Sequence, residues 1–228
     1  MNIYAFICTR TKDLSPITNK LVSYLSSVGV EVKLLVNQVS IFDGYQKAFK
    51  TVQPKPTDII ILCHDDIEIS ISPSAFLQIL SILKHTKYGF IGPAGTTHVS
   101  ENAVWWDQEL WKAGKHRGAV HHIDPNGKKY CSHYGAFEEV VVLDGLFLAT
   151  RAEVLEKVGL EKPQYFEGNW DFYDVYYTYK AHKHNYENHT VPIQITHMSR
   201  GELTGRDSWH KNRLAFINEN RKDFPLTC

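Results

Sequence analysis

An acidic pair follows the most apolar strand-like run in the chain. His64, Asp65 and Asp66 come directly after the run at residues 58–63. In open α/β sheets, ligands bind beyond the carboxyl ends of the strands, where carboxylates can hold a hard divalent cation such as Mg²⁺ or Mn²⁺ against a diphosphate. A solvated acidic turn before a helix would contain the same residues. The motif therefore leaves a metal site and an ordinary turn open.

Two further carboxylates, Asp171 and Asp174, follow Asn169, which is a typical helix N-cap residue. We predict a helix that starts at Asn169 and carries Trp170, Tyr173, Tyr177 and Ala181 on one stripe. The helix dipole favours an acidic residue in the first turn and accounts for Asp171. Asp174 lies beside the aromatic stripe, where desolvation would raise its pKa, and this makes it a candidate general base.

A third polar group, His197-Met198-Ser199-Arg200-Gly201, follows a predicted strand at 190–196. A neutral imidazole at His197 could complete a metal site, and the Arg200 guanidinium could bind a phosphate. The chain has 12 histidines, and we interpret the others mainly as structural or solvated, including His121, His122, His182, His184 and His189.

Three tryptophans, Trp105, Trp106 and Trp111, lie in a segment without clear periodicity. Indole faces stack on sugar rings, but they also pack in protein cores. We expect at least one of the adjacent pair, Trp105 and Trp106, to be a core residue.

Alternating strand and helix patterns must position these groups. In the first 92 residues we predict strands at 3–8, 30–36, 58–63 and 88–91. Between them we predict a helix that follows the N-cap Ser15 and ends at Gly29, a helix capped by Asp43, and a helix opening at Ser72-Pro73. This pattern is typical of a parallel sheet covered by helices. After Gly92 we predict a loop-rich stretch, then regular structure at 139–149, a short helix opened by a capping box at Thr150 and Glu153, the helix at Asn169, and a last helix near 208–218.

Composition narrows the class of protein. The 228 residues contain 25 Lys plus Arg and 25 Asp plus Glu, and 43% are hydrophobic. A balanced charge argues against nucleic acid as a partner, and the apolar content argues against disorder. The longest apolar run, at 140–149, is interrupted by Asp144 and is shorter than the roughly 18 residues that a membrane span needs. The N-terminus is typical of a first strand, and four widely spaced cysteines predict free thiols and a cytoplasmic protein.

The order of these groups resembles the family-2-like bacterial glycosyltransferases, which have the glycosyltransferase A fold. The resemblance covers nearly the whole chain. The matching stretches are Asp43-Gly44-Tyr45-Gln46-Lys47-Ala48, Ile61-Leu62-Cys63-His64-Asp65-Asp66-Ile67, Trp105-Trp106, Leu143-Asp144-Gly145-Leu146-Phe147-Leu148-Ala149, Phe172-Tyr173-Asp174-Val175, and Ile195-Thr196-His197-Met198-Ser199-Arg200-Gly201.

The resemblance implies an α/β fold with a mixed, mainly parallel Rossmann-like sheet and helices on both faces. It implies one domain over 1–228, with a nucleotide-sugar-binding half at about 1–100 and an acceptor-binding and catalytic half at about 101–228. The implied activity is inverting transfer of a sugar, such as a hexose, from a nucleoside-diphosphate sugar to a carbohydrate or glycolipid acceptor, with Mn²⁺ or Mg²⁺, in polysaccharide biosynthesis.

The resemblance also implies roles for particular residues. Asp66 falls on the last position of the family's Asp-x-Asp metal motif, whose first position is His64 here, and His197 falls on the second metal position. Asp174 falls on the catalytic base, and Asp144 lies near the sugar or acceptor. The implied donor-binding residues are Thr9, Arg10, Asn37, Lys47, Asp65 and Arg200.

Two other classes of protein stay open on the residues alone. His-Asp pairs mark metal-dependent phosphohydrolases of the HD type. The resemblance to that family would require an all-helical scaffold, whereas His64 follows a predicted strand. A carbohydrate-binding module without catalysis would use the tryptophans and leave Asp174 as a helix-dipole residue. Metal-dependent nucleotide binding separates a transferase from such a module.

Overall fold

The computed structural model describes residues 1–124, 126–198 and 207–228. Within these ranges seven α-helices form: α1 (Pro16–Ser27), α2 (Ile41–Val52), α3 (Pro73–Leu80), α4 (Gln108–Lys112), α5 (Ala152–Val158), α6 (Tyr173–Lys183) and α7 (Asp207–Glu219). Short 3₁₀ turns lie at Ser81–Lys84 and Arg221–Asp223.

Fifteen strands are present in the same described ranges. They are β1 (Ile3–Thr9), β2 (Glu31–Val36), β3 (Ile59–Cys63), β4 (Ile67–Ile69), β5 (Tyr88–Gly92), β6 (Ala94–Thr96), β7 (His98–Val99), β8 (His116–Ile123), β9 (Lys129–His133), β10 (Glu139–Val140), β11 (Val142–Leu143), β12 (Phe147–Arg151), β13 (Glu187–Thr190), β14 (Ile195–His197) and β15 (Leu226–Thr227).

The main sheet has the strand order β10-β13-β5-β12-β3-β1-β2. β1 is parallel to both β2 and β3, and β5 is parallel to β13. β12 is antiparallel to both β3 and β5, and β10 is antiparallel to β13. Five of the seven strands therefore run in one direction, which confirms the predicted mixed, mainly parallel sheet.

The strand order places helices on both faces of the main sheet. β2 and β3 lie on opposite sides of β1, so right-handed crossovers place α1 and α2 on opposite faces. Ser15 caps α1 by accepting a hydrogen bond from the Thr18 amide, and the buried Leu21 and Leu25 pack into the core. All five residues of β3 are buried, as expected for a central strand covered on both faces.

A second sheet, with the order β11-β6-β8-β14-β4, extends from the main one, and β9 pairs with β8. β14 lies antiparallel to β4 and parallel to β8. The pairing of β14 with β4 brings His197 beside the segment that follows β3. The predicted loop-rich stretch after Gly92 is thus wrong in part, because it contributes four of the fifteen strands, β6 to β9.

Three predicted helix starts are wrong. α2 is capped by Ser40, whose hydroxyl accepts hydrogen bonds from the Phe42 and Asp43 amides. α6 begins at Tyr173 rather than at Asn169, because Phe172 has a left-handed backbone (φ 70°) that cannot continue a right-handed helix.

The predicted capping box at Thr150 is also wrong. Thr150 is the fourth residue of β12, and its hydroxyl donates to the Gly89 carbonyl at 2.7 Å. The predicted strand at 190–196 divides into the end of β13 and the start of β14. In the described part of the chain, no helix combines the length and apolar character required to cross a membrane.

Candidate active site

A cleft of about 2110 Å³ opens at the carboxyl ends of β1 and β3. The order of successive strands changes direction at β1, because β2 and β3 flank it on opposite sides. Open α/β sheets bind ligands at such a switch point. Eight of the predicted site residues line this cleft: Thr9, Arg10, Asn37, Asp65, Asp66, Asp144, Asp174 and His197. Lys47 is exposed on α2 and is not among the lining residues, and Arg200 lies outside the described residues.

Three different elements fix the backbone of the segment after β3. The His64 amide donates to the Leu146 carbonyl at 3.1 Å, and the Met198 amide donates to the Asp66 carbonyl at 2.9 Å. The Thr18 hydroxyl of α1 donates to the Asp65 carbonyl at 2.9 Å. The backbone of this segment is therefore held in place by its own fold.

His64, Asp66 and His197 form a compact cluster. Asp66 Oδ1 lies 3.4 Å from His197 Nε2 and 3.7 Å from His64 Nδ1, and the three candidate ligand atoms all lie within 4.8 Å of one another. Burial alone would lower the pKa of His197, but the hydrogen bond and charge of Asp66, helped by Asp144, raise it above its ordinary value. Two imidazoles and a carboxylate that converge at a cleft are a donor set that fits a divalent transition metal.

Tyr173 fixes the orientation of one member of this cluster. Its hydroxyl donates to the Gly145 carbonyl at 2.8 Å and lies 3.0 Å from His64 Nε2. A phenol has only one proton to donate, so His64 Nε2 must be the donor in the second bond. The lone pair of the neutral imidazole is then on Nδ1, the nitrogen that faces Asp66.

Asp174 lies in the first turn of α6 and is half-buried at the cleft wall. Its Oδ2 accepts a hydrogen bond from the Gly145 amide at 3.0 Å. Burial and, secondarily, the charge of Asp144 raise the pKa of Asp174 to about 7. Burial also raises the pKa of Asp144, whose Oδ1 accepts from the Leu146 amide at 3.1 Å. A carboxylate with a pKa near neutrality can accept a proton from a substrate hydroxyl.

Gly145 permits the close approach of these groups. A Cβ atom at this position would lie 2.6 Å from the Tyr173 hydroxyl oxygen and 2.8 Å from the Asp174 Cβ. Both distances are shorter than real contacts of this kind, so glycine is required for α6 to pack against the loop after β11.

Another wall of the cleft, the strand-end wall, contains residues at the carboxyl ends of β1, β2 and β3. The Asn37 amide donates to the Thr9 carbonyl at 2.8 Å and ties the ends of β1 and β2 together. Burial raises the pKa of Asp65, although a hydrogen bond from Thr9 and the charge of Arg10 act against it. This wall offers hydroxyl, amide, guanidinium and carboxylate groups to one ligand.

The tryptophans divide differently from the sequence grouping. Trp105 is buried, as expected for one of the pair, while Trp106 is partly exposed in the cleft. Trp111 packs against Tyr134 and is not among the lining residues. Trp170 and Trp209 also line the cleft, although their sequence pattern indicated no role there. Trp170 lies before α6 rather than on its stripe, and its neighbour Asp171 is a buried acceptor for the Ser208 hydroxyl at 2.6 Å.

Residues 19–219 match the model of a glycosyltransferase-like family. The chain belongs to this family. No curated protein matches the sequence.

Two solved structures show the same fold as this glycosyltransferase-family chain. One is A197 from STIV, with 15% identity, a TM-score of 0.51, and coverage of 87% of this chain and 86% of that one. The other is GalNAc-T7 crystallised with UDP, GalNAc and Mn²⁺, with 11% identity and a TM-score of 0.55. That alignment covers 96% of this chain and 48% of GalNAc-T7. The predicted glycosyltransferase A fold is confirmed, and the two sheets are incompatible with the all-helical scaffold of an HD-type phosphohydrolase.

Proposed function

We propose that the protein transfers a sugar, such as a hexose, from a nucleoside-diphosphate sugar to an acceptor hydroxyl with inversion at the anomeric carbon, and that it uses a divalent cation. One observation carries this proposal: the same cleft holds a carboxylate with a pKa of about 7, Asp174, and the cluster of His64, Asp66 and His197. The UDP, GalNAc and Mn²⁺ in the GalNAc-T7 structure are consistent with it.

The cation would be held by His64, Asp66 and His197. Imidazole nitrogen is a better ligand for Mn²⁺ than for Mg²⁺, so this donor set favours manganese of the two predicted ions. When bound, such a cation supplies positive charge that stabilises the leaving diphosphate. The Tyr173 hydroxyl would accept a hydrogen bond from the Nε2–H group of His64 and so keep His64 Nδ1 directed at the cluster.

The donor nucleotide would lie on the strand-end wall. Thr9, Arg10, Asn37 and Asp65 are the residues that we assign to it, in agreement with the expectation for the half at about 1–100. Arg10 adds a positive charge beside the diphosphate. Lys47 is left out of this assignment because it is not among the cleft residues.

Asp174 would act as the general base. As the acceptor oxygen attacks the anomeric carbon, Asp174 takes the hydroxyl proton, and the bond between that carbon and the diphosphate oxygen breaks with its electron pair leaving on the diphosphate. The hydrogen bond from the Gly145 amide holds the carboxylate in position. Asp144 would contact the transferred sugar or the acceptor.

Two measurements test this function. Thermal denaturation with uridine, guanosine and cytidine diphosphates should show stabilisation by the cognate nucleotide only with Mn²⁺, and Asp66→Ala should remove it. A ligand at 100 times its dissociation constant adds about 2.7 kcal/mol, a shift of several degrees. Proton NMR of the product should show the anomeric configuration opposite to that of the donor, and retention would contradict the role of Asp174.

If the protein were instead a non-catalytic carbohydrate-binding module, free oligosaccharide would stabilise it and nucleotide with Mn²⁺ would not.

We also propose that the protein acts in the cytoplasm, in polysaccharide biosynthesis. All four cysteines are free, and free thiols persist in reducing compartments.

A further inference from the structure

Two half-exposed tryptophans lie in the cleft on the side of the second half of the chain. Trp106 is 37% exposed and Trp170 is 41% exposed, and both line the same cleft as Asp174. An indole ring has a large apolar face that proteins normally bury. Two such faces in one cleft indicate a surface that a flat apolar ligand face can cover.

Trp106 rests on a packed aromatic base. Trp106 contacts the buried Trp209 with ring centres 5.2 Å apart, and the buried Trp105 at 5.7 Å. Trp209 also contacts Phe172 at 5.8 Å, and Phe172 follows Trp170 by two positions. The Trp106 ring is therefore supported from behind before a ligand arrives.

This surface lies beside the segment that leads into the proposed base. Phe172 leads directly into α6, whose second residue is Asp174. Polar groups border the tryptophans in the cleft, namely Asp171, Ser208 and His210. A sugar ring combines these features, since it has an apolar face of C–H groups and a rim of hydroxyls.

We propose that Trp106 and Trp170 form an acceptor subsite for a saccharide, so that the acceptor is a sugar ring of an existing glycan. The apolar face of that ring stacks on the indoles, and one of its hydroxyls meets Asp174. The proposal rests on the proposed transferase function, because it takes Asp174 as the base and leaves the strand-end wall to the nucleotide.

Steady-state kinetics test the subsite with chitobiose, cellobiose and maltose as acceptor probes and with UDP-glucose, UDP-N-acetylglucosamine and GDP-mannose as donors. Trp106→Ala and Trp170→Ala should each raise the acceptor KM about tenfold, equivalent to about 1.4 kcal/mol of lost stacking. The acceptor KM should change more than the rate of donor hydrolysis measured without acceptor. The corresponding Trp→Phe variants should recover most of the acceptor affinity.

Trp111→Ala is the matched control, because Trp111 is 47% exposed but is not among the cleft residues. It should leave the acceptor KM unchanged. An equal KM for maltose and octyl maltoside supports recognition of the ring itself, whereas activity on the octyl form alone overturns the proposal.

Tryptophan fluorescence separates failure of the subsite from failure of the transferase function. Quenching by the disaccharides that is lost in Trp106→Ala and Trp170→Ala supports the subsite directly. Absence of donor hydrolysis and of nucleotide binding in the wild-type protein overturns the transferase function. Normal donor hydrolysis with no quenching, or with an unchanged acceptor KM in both alanine variants, overturns the subsite alone.

Discussion

Replacing Tyr173 by phenylalanine removes one hydroxyl that connects the histidine cluster to the loop of the base. That hydroxyl accepts from His64 Nε2 at 3.0 Å and donates to the Gly145 carbonyl at 2.8 Å. Without it, His64 loses the partner that fixes its tautomer. Loss of such an outer partner of a ligating histidine typically weakens metal affinity 10- to 100-fold, or about 1.4 to 2.7 kcal/mol. The Gly145 carbonyl also loses its donor, which costs about 1 to 3 kcal/mol of folding stability.

Tyr177→Phe is the control that separates these two effects. Tyr177 lies one turn further along α6, is fully buried, and donates its hydroxyl to the Leu160 carbonyl at 3.0 Å. Its loss should cost comparable stability and leave Mn²⁺ affinity unchanged. Stability is read by thermal denaturation without metal, and Mn²⁺ affinity by the electron paramagnetic resonance signal of the free ion. Equal Mn²⁺ affinity in Tyr173→Phe and wild type, or an equal loss in both variants, would refute the orienting role of Tyr173.

Asp174→Asn should lower the transfer rate 10²- to 10⁴-fold and leave nucleotide binding intact, because the amide can still accept from Gly145 but cannot take a proton; a rate above a third of wild type contradicts this. The wild-type transfer rate should rise with pH through about 7 as Asp174 ionises. The pKa of Asp174 is raised on folding, so the stability of the wild type relative to Asp174→Asn should decrease as pH rises from about 4 to about 7 and then level off. Thermal denaturation of both proteins across this pH range measures the difference. Gly145→Ala should abolish transfer, since its Cβ would collide with the Tyr173 hydroxyl, and normal turnover would show that the loop can move. Thiol labelling followed by mass spectrometry should modify the exposed Cys131 quickly, the partly buried Cys8 slowly and the buried Cys63 only on unfolding, because burial raises the pKa values of Cys8 and Cys63; rapid labelling of Cys63 would contradict its burial.

The error at Asn169 illustrates where local sequence signals fail. Asn169 has the chemistry of an N-cap, but its carbonyl accepts from the Ile41 amide at 3.0 Å and its side chain accepts from Lys162 at 2.8 Å. Ile41 is distant in sequence, and Lys162 precedes Asn169 by seven positions. These contacts hold Asn169 outside the helix, and α6 begins only after the left-handed Phe172.

His64 shows the same limitation in the site. From the sequence it is a departure from the expected Asp-x-Asp pattern, and nothing local assigns it a ligand role. The structure brings His197 to the same carboxylate through the pairing of β14 with β4. The Tyr173 hydroxyl, from the opposite wall, then sets which nitrogen of His64 faces that carboxylate. These partners come from three separate parts of the chain.

The sequence by itself determined the alternation of strands and helices, the buried β3, and the placement of polar residues just beyond the strand ends, including Asp66 and His197. These features follow from apolar periodicity and local turn chemistry, which act over a few residues. Only the tertiary structure decided that Asp144 and the Gly145 amide lie beside Asp174, that Trp106 and Trp170 share one cleft, and that His64 joins Asp66 and His197. Burial and proximity depend on which elements pack together, and periodicity shows that a face is covered but does not show what covers it.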